Sequence, residues 1–535
     1  MQEFGLLNWL IVGVYMLATL FMGYWLSRGI TTAEDYYLGE HASPWWAIGL
    51  SVVATYIGAM SFLGGPAWSY VDGFAVIMIH VNYPIAVFIV ATIFLPFFYN
   101  IGVASIFDYL ERRFGLSSRT LMSAVFLFGN ITYSGIMLYT TALVMQFITG
   151  VDVVAAIVVI AIVALVYTTM GGIAAVIWTD VAQTVILLGG ALVILALLIG
   201  ALPDGLAASL THLKADGMTE PFNTSTDPTV VATIWTGIVA MSIYHVVVYG
   251  VNQMMVQRTL TAASIGDAKK SYMLMGYVAI FVFALLFFVG ILLNEYYQGR
   301  EFENGNTIIL EFVSAAGVPG LMGIIAAAVV AASMSSLDSS LNSMATVTTL
   351  DFYQKFFKRD GDSTHYLKAT RIFTVAWGVL IVLPALLFMS SEGSVLEILS
   401  KIGSFFVGAK LGCYGLGFYS KHASERGVLV GVAAGFVSLG ATEVWGDVAW
   451  PWYCAIGGVV TVAVGWIASV LLDGWQQHYH PYTVRGQAIL FAQENRPLKQ
   501  DGWYLLPGKV DPWSYGLLIF FGFSLLGLWL FQYLI

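Results

Sequence analysis

One long apolar stretch, residues 320–353, carries many side chains that contain oxygen. Its serines recur every three or four positions, which on a helix turns several hydroxyls to one side. The polar set comprises Ser333, Ser335, Ser336, Asp338, Ser339, Ser340, Asn342 and Ser343. A carboxylate at the centre of a membrane span costs about 2.5–3.5 kcal/mol on insertion scales, so Asp338 is a functional candidate by default. Because hard cations prefer oxygen ligands, the stretch predicts a helix that holds a small cation within a membrane.

The composition indicates an integral membrane protein. Hydrophobic residues make up 59% of the 535 residues and charged residues 10%, with a mean hydropathy of +0.82, whereas a soluble protein is about 25% charged. Both cysteines lie in apolar segments, so no disulfide framework is expected. The sequence shows no nucleotide-binding motif and no metal-ligand spacing of histidine and cysteine. We therefore predict neither an ATP-driven pump nor an enzyme.

About 14 stretches are long and apolar enough to cross a bilayer, since one crossing takes about 20 residues. They lie at residues 6–27, 45–68, 73–98, 119–148, 152–170, 176–200, 232–256, 270–295, 317–348, 368–390, 395–419, 426–445, 449–472 and 512–533. With both termini outside, most of the 22 Lys and Arg residues fall at inner loops, Arg119, Arg258 and Lys269 among them. This distribution predicts a multi-pass protein of the cell membrane with an extracytoplasmic N-terminus and C-terminus.

Two spans that lie five apart carry helix-breaking or polar residues near their centres. The second span contains Gly58 and Pro66, and the seventh contains Gly250 followed by Asn252 and Gln253. Matched interruptions in two halves indicate a transporter built from inverted repeats, with its binding site between the two breaks. The alternative is an ordinary kinked helix in each place, because glycine and proline are common in membrane helices.

Three motifs resemble the sodium:solute symporter family and occur in its order. They are ALVYTTMGGIAAVIWTDVAQTVILLGG at 164–190, NQMMVQRTL at 252–260 and AASMSSLDSSLNS at 331–343. The resemblance covers about residues 5–475 and implies an all-α membrane protein with LeuT-like inverted five-helix repeats. The expected division is a first helix and connector at 1–44, a first repeat at 45–200, an extracytoplasmic loop at 201–231, a second repeat at 232–421, additional helices at 422–472, a cytoplasmic loop at 473–511 and a last helix at 512–535.

The resemblance also implies a sodium site between the second and ninth spans. Carried over position by position, its ligands are backbone carbonyls and two serine hydroxyls, on Ala54, Ile57, Ala332, Ser335 and Ser336. The residue types alone predict the same kind of site, in which backbone carbonyls at a helix break face hydroxyls on another helix. The alternative for the serines is close helix packing, with each hydroxyl bonded back to a carbonyl of its own helix.

A second ion or proton site, or an ion exit path, is expected around Asp180, Asp338 and Ser339. The resemblance places Asp180 on the inner exit path or near a second sodium, and the alternative is a carboxylate exposed at a helix end. Members with a second sodium have serine where this chain has Asp338. Asp338 is therefore a candidate to bind a cation, to carry a proton or to neutralise the buried Lys410, since buried charges usually pair. Lys410 is alternatively a counter-ion for an anionic substrate.

The resemblance places the substrate among spans 2, 3, 7, 8 and 11. The substrate-binding candidates are Tyr56, Ser61, His80, Tyr83, His245, Ser400 and Lys410. Sugar carriers of the family have an acidic residue where His80 stands and a lysine where Ala279 stands, which argues against a glucose-like substrate. For each histidine the alternative is a helix-packing role.

The predicted function is sodium-coupled symport of a small organic solute by alternating access, with a small organic anion such as a monocarboxylate as the expected substrate. The alternatives are a proton-coupled symporter of the same fold, or a sodium symporter for a sugar, a vitamin or an inorganic anion. Na+ is the expected coupling ion. The expected partners are a small-molecule substrate and the lipid bilayer, with no nucleic acid, and the chain is expected to be monomeric.

Overall fold

The structure, a computed structural model, describes residues 4–390 and 395–534, with side chains at all of these except positions 40, 390, 395–402 and 534. The described chain is helical apart from loops and one short hairpin, β1 (Lys499–Gln500) with β2 (Trp503–Tyr504). This confirms the all-α class. Which helix ends face the cytoplasm stays a prediction.

In the first half of the chain, the described residues contain ten α-helices. They are α1 (Gly5–Leu26), α2 (Ala33–Leu38), α3 (Trp45–Tyr56), α4 (Ala59–Asp72), α5 (Tyr83–Ile89), α6 (Leu95–Ile101), α7 (Ile106–Arg113), α8 (Leu116–Thr149), α9 (Val153–Ala201) and α10 (Gly205–Ala215). A 3-10 segment, Gly73–Ile79, follows α4, and a π-helical segment, Val90–Phe94, joins α5 to α6.

The second half contains twelve. They are α11 (Met241–Gly250), α12 (Gln253–Thr259), α13 (Ile265–Tyr297), α14 (Ile308–Ala316), α15 (Leu321–Val347), α16 (Ser363–Leu380), α17 (Val382–Leu387), α18 (Val395–Tyr419), α19 (Glu425–Trp445), α20 (Tyr453–Asp473), α21 (Val484–Gln493) and α22 (Tyr515–Leu534). A π-helical segment, Thr348–Phe357, continues α15.

The predicted count of 14 membrane-crossing helices is not confirmed. Within the described residues, 10 helices are long and apolar enough to cross a membrane, or 11 if the bent pair around α11 and α12 is one span. The spans predicted at 152–170 and 176–200 correspond to the two parts of α9, which are separated by non-helical backbone at Gly172 (φ +53°). A side chain at Gly172 would begin 2.8 Å from the Tyr36 carbonyl oxygen, so glycine permits both the bend and the contact.

Helix α15 lies at the centre of the fold. It packs against α1, α8, α9 and α16, and every residue from position 325 to 347 is buried. The serines and Asp338 are therefore enclosed by other helices and do not face lipid. By contrast, α22 exposes large apolar side chains such as Phe523 and Trp529, which fit a lipid-facing surface.

Candidate cation and substrate sites

The predicted break in the second span separates α3 from α4. Ile57 and Gly58 leave helical geometry, with ψ of 72° and −175°. The Ser61 N–H bonds to the Gly58 carbonyl at 3.0 Å, although in a continuous helix it would bond to that of Ile57. A Cβ on Gly58 would lie 3.1 Å from Ser336 Oγ, so the missing side chain brings the break close to α15.

A small cavity lies between this break and α15. Ala54, Ile57, Ala332 and Ser335 line it, together with Val53, Gln183, Thr184, Leu187, Leu188 and Val282. The fifth predicted sodium ligand, Ser336, donates to the Thr55 carbonyl oxygen at 3.0 Å, at the same break. The structure therefore brings all five positions together, while their ligation of sodium stays a prediction.

Three buried oxygen atoms of this region have no hydrogen-bond partner among the described residues. They are Ser335 Oγ and Gln183 Oε1, on side chains that line the cavity, and Asp180 Oδ1. A buried polar atom left unpaired costs about 1–3 kcal/mol, and a bound cation would remove that cost. The Gln183 amide nitrogen donates to the Tyr15 hydroxyl at 3.3 Å, which leaves the amide oxygen as its free atom.

Gln183 was absent from the residues expected at the cation site. Its sequence signal was present, because it follows Asp180 by three positions and so shares that face of α9. Sequence reasoning singled out the aspartate and passed over the amide beside it.

Asp180 is fully buried and is held by side chains from two other helices. It accepts hydrogen bonds from Ser51 at 2.5 Å and Thr55 at 3.4 Å, and its Oδ2 lies 3.5 Å from Nη2 of the buried Arg258. The alternative of a solvent-exposed carboxylate at a helix end is therefore wrong.

Asp338 does not pair with Lys410. Its carboxylate accepts hydrogen bonds from Tyr167 at 2.7 Å, from Ser339 at 3.1 Å and from Thr179 at 3.4 Å. The buried Lys410 ammonium lies 5.3 Å from the ring centre of Phe126 and has no acidic partner among the described residues.

Helix packing explains why the expected pair does not form. Asp338 projects toward α9, where its hydrogen-bond partners Tyr167 and Thr179 lie. Helix α18, which carries Lys410, packs against α8 and α20. Of the three roles considered for Asp338, the neutralisation of Lys410 is thus excluded.

Arg258 is the residue of this region that sequence reasoning misplaced. It was assigned to an inner loop, yet its side chain is 0% exposed. It lies in α12, just after the break between α11 and α12, where the two helices meet at 57°. Its guanidinium donates to the Ser339 hydroxyl and faces Asp180. The signal in the sequence was a basic residue one turn or two after a polar helix break.

The structure brings four of the predicted substrate residues into one cluster. His80 Nδ1 lies 2.8 Å from the Tyr83 hydroxyl, and His245 Nε2 lies 2.8 Å from the Tyr56 hydroxyl. The rings of Tyr83 and His245 are 4.5 Å apart. We refer to Tyr56, His80, Tyr83 and His245 as the tyrosine–histidine cluster. It lies at the end of α3, immediately next to the break.

The structure does not place the other three predicted substrate residues in this cluster. Ser61 is only partly buried and makes no hydrogen bond to it within the described residues. Lys410 contacts Phe126 of α8 instead. The side chain of Ser400 lies outside the described residues.

Asn82, which sequence reasoning missed, fixes the hydrogen bonding of the cluster. Its amide nitrogen donates to the carbonyls of Ile79 and Gly237 at 2.9 Å each, so its oxygen faces His245 Nδ1 at 2.5 Å. An amide oxygen only accepts, so Nδ1 carries the hydrogen and Nε2 of the neutral ring accepts from the Tyr56 hydroxyl. The Tyr56 oxygen is then left as a hydrogen-bond acceptor.

The fold defines a class, a multi-pass membrane transporter, in which a small cavity and the tyrosine–histidine cluster both adjoin one helix break. The chain belongs to the sodium:solute symporter family, whose sequence pattern matches residues 36–435. It is therefore a sodium-coupled solute symporter with a LeuT-like fold, embedded in a membrane.

Curated relatives and solved structures agree with this assignment. The chain is 29% identical to the sodium/sialic acid symporter SiaT of Proteus mirabilis, over 88% of this chain and 96% of that protein. It is 31% identical to the sodium/sialic acid symporter NanT of Aliivibrio fischeri, over 88% and 94%. It is 30% identical to human sodium-coupled monocarboxylate transporter 1, over 76% and 68%. A substrate-bound, outward-open sodium-coupled sialic acid symporter superposes with a TM-score of 0.80 at 27% identity, covering 88% of this chain and 99% of that one.

Proposed function

We propose that this symporter carries a small organic solute that bears one carboxylate. The observation that supports this most directly is the make-up of the tyrosine–histidine cluster. It holds two imidazoles, and no acidic side chain contacts it among the described residues. Such a site offers a hydrogen-bond donor to an anion, and no described carboxylate contacts it that would repel one.

The donor for the carboxylate is the His80 imidazole. When the Tyr83 hydroxyl donates to Nδ1, Nε2 carries the hydrogen and is free to donate, because no described residue accepts from it. The ring is stacked on Phe283 at 3.6 Å between centres, which holds its orientation. The Tyr56 oxygen, as an acceptor, favours a substrate that also carries a hydroxyl or an N–H group.

Two relatives support the same substrate class. The sialic acid symporters and the monocarboxylate transporter are all named for a carboxylic acid. The buried Lys410, which has no acidic partner among the described residues, lies outside the cluster, where its ammonium contacts the Phe126 ring. It is a second candidate counter-ion for an anion that moves through the protein.

The helix break explains how sodium and substrate assist each other. Ile57 lines the sodium cavity and its neighbour Tyr56 belongs to the cluster. An ion that binds the carbonyls of α3 and the hydroxyls of α15 fixes the backbone between them, and so fixes the Tyr56 ring. Linkage then requires substrate to strengthen sodium binding by the same factor.

A ligand screen with purified protein tests the substrate class. The melting temperature is measured with carboxylates, sugars, amino acids, vitamins and inorganic anions, first in sodium and then in potassium. A ligand at 100 times its Kd stabilises the folded state by about 2.7 kcal/mol. We expect carboxylates to stabilise the protein in sodium only. Stabilisation by sugars or iodide with none by carboxylates would overturn the proposal.

Lactate and propionate form a matched pair within this screen, since they differ in one hydroxyl. The acceptor role of Tyr56 predicts tighter binding of lactate, and the Tyr56→Phe variant should abolish the difference. Tyr70→Phe is the control, because the Tyr70 hydroxyl donates to the Arg300 carbonyl at 2.7 Å, away from the cluster. A preference for lactate that survives in Tyr56→Phe would contradict the assignment.

A further inference from the structure

A segment near the C-terminus, residues 504–517, is held against one face of α13. Lys269, Gly276 and Phe283 follow one another at intervals of seven residues, so they lie on the same face of that helix. Phe283 stacks on the His80 ring of the tyrosine–histidine cluster, while Lys269 and Gly276 lie against the segment. This face of α13 therefore connects the C-terminal segment to the predicted substrate site.

A buried ion pair attaches the segment to α13. The Lys269 ammonium donates to the Asp511 carboxylate and to the Tyr504 carbonyl, the latter at 2.8 Å. The other carboxylate oxygen of Asp511 accepts from the Tyr504 N–H at 2.8 Å. The side chains of Lys269 and Asp511 are 0% and 1% exposed. Because loss of either partner would leave an uncompensated buried charge, the pair is a stable attachment.

The π-helical segment between α5 and α6 provides a second attachment. Pro96 has no N–H, so the Thr92 carbonyl four residues earlier lacks the donor that it would have in an α-helix. The Gly508 N–H donates to this carbonyl at 2.9 Å, and the Asn100 side chain donates to the Leu505 carbonyl at 2.8 Å. Gly508 has a φ of +84°, a conformation that favours glycine. The C-terminal segment thus joins the end of α6 to α13.

Leu517, at the end of this segment, lies between α5 and α13. It is the third residue of α22 and is 0% exposed, whereas its neighbour Leu518 is 37% exposed. A Cβ built on Gly276 of α13 would lie 3.0 Å from a methyl group of Leu517 and 3.3 Å from Cβ of Val87 on α5. The two helices and the Leu517 side chain therefore meet at one point.

This point lies one to two helical turns from the residues that hold His80. Val87 follows Tyr83 by four residues on α5, so the two share a face. On α13 the same holds for Gly276 and Phe283, which are seven residues apart. Tyr83 contacts His80 Nδ1 at 2.8 Å, and Phe283 stacks on the imidazole ring with centres 3.6 Å apart. The spacing of α5 and α13 at this point therefore sets the orientation of the imidazole.

We propose that Leu517 is a positioning residue for substrate binding, held in place by the pair of Lys269 and Asp511. It fixes the distance between α5 and α13, and through these helices it orients the His80 N–H that donates to the substrate carboxylate. The inference rests on the proposed function, because it takes His80 as the donor to the substrate. The predicted sodium ligands belong to α3 and α15, so Leu517 should affect the binding of substrate and not that of the ion.

Matched substitutions in the full-length protein test the proposal, with lactate as the probe. The lactate Kd is measured from the rise in melting temperature at fixed sodium, and the sodium Kd is measured without lactate. Leu517→Ala should raise the lactate Kd by about tenfold, as expected for the loss of one hydrogen bond to a charged group, and leave the sodium Kd unchanged. Leu518→Ala, the same truncation at the exposed neighbouring position, should change neither Kd. Leu517→Met conserves the side-chain volume and should keep the lactate Kd of the wild type.

Three results would overturn the proposal. They are an unchanged lactate Kd in Leu517→Ala, an equal loss of lactate and sodium affinity in that variant, and an equal rise of the lactate Kd in Leu518→Ala. Asp511→Asn removes the negative charge that holds Lys269 and should raise the lactate Kd in the same direction as Leu517→Ala. An unchanged lactate Kd in Asp511→Asn would show that the ion pair does not place Leu517.

Hydrogen–deuterium exchange of the protein without ligand gives a readout that needs no substrate. Leu517→Ala should speed the exchange of the amides of α5, because fewer apolar contacts lower the free energy of local opening, and Leu518→Ala should match the wild type. Unchanged exchange in Leu517→Ala would contradict the role of this side chain between the helices. If lactate and the other carboxylates fail to stabilise the wild-type protein, the proposed function fails and this inference with it. If lactate binds the wild type and Leu517→Ala equally, this inference alone fails.

Discussion

Removal of the Ser335 hydroxyl should weaken sodium binding without destabilising the sodium-free protein. Ser335 Oγ lines the cavity and has no hydrogen-bond partner among the described residues. Ser335→Ala therefore breaks no hydrogen bond and removes an unpaired buried atom, which by itself costs about 1–3 kcal/mol. The free energy of unfolding in potassium should stay the same or rise.

The loss of sodium affinity follows from the same atom. An interaction of a hydroxyl with a charged group contributes about 1.5–3 kcal/mol. At about 1.4 kcal/mol per tenfold change, the sodium Kd of Ser335→Ala should rise by about 10- to 150-fold. The sodium Kd is measured from the rise in melting temperature with sodium concentration, at constant ionic strength.

Ser340→Ala is the matched control, because Ser340 lies five residues after Ser335 on the same helix, α15. The Ser340 hydroxyl accepts from Ser134 at 2.7 Å, away from the cavity. Its removal should lower stability by about 0.5–1.5 kcal/mol in both salts and leave the sodium Kd unchanged. An unchanged sodium Kd in Ser335→Ala, or an equal change in both variants, would refute the placement of the ion.

Three further variants test the two sites. Gln183→Met keeps the size of the side chain but removes the unpaired amide oxygen, so the sodium Kd should rise. An unchanged sodium Kd would show that the amide oxygen takes no part. A Cβ added at Gly58 would lie 3.1 Å from Ser336 Oγ, so the larger side chain of Gly58→Val should weaken sodium binding and substrate binding together. Loss of only one of the two in a titration would show that the two sites are independent. Asn82→Leu removes the acceptor for His245 Nδ1, so it should raise the Kd of the substrate at unchanged sodium binding, whereas equal substrate affinity would mean that Asn82 only packs.

Much of the cation site follows from local sequence. A break at Gly58 and a second one between Gly250 and Asn252 were predicted because helix-breaking or polar residues occur at matching places in two spans that lie five apart, and both breaks are present. The spacing of Ser335 and Ser336 on α15 is also a local property. The resemblance to a known family then specified which helix faces the break.

The partners of the buried charges could not be predicted in this way. Asp338 and Lys410 are each costly in a membrane, and the sequence shows only that both need a partner or a function. Which face of α15 meets which helix depends on packing between elements far apart in the chain. Arg258 was misplaced for a related reason, because a basic residue at the end of an apolar span is normally exposed. Only the fold shows that α12 turns inward after the break.

The two unusual charges in this region explain each other. A lone aspartate at position 338 would add a second buried carboxylate beside Asp180, at a large cost in desolvation. Arg258, held by Ser339 and Asp180, compensates one of the two carboxylates. A neutral cage of carbonyls and hydroxyls would bind sodium by its dipoles alone, whereas an ionised carboxylate close to the cage adds a direct attraction between charges. We therefore expect the two aspartates to strengthen sodium binding.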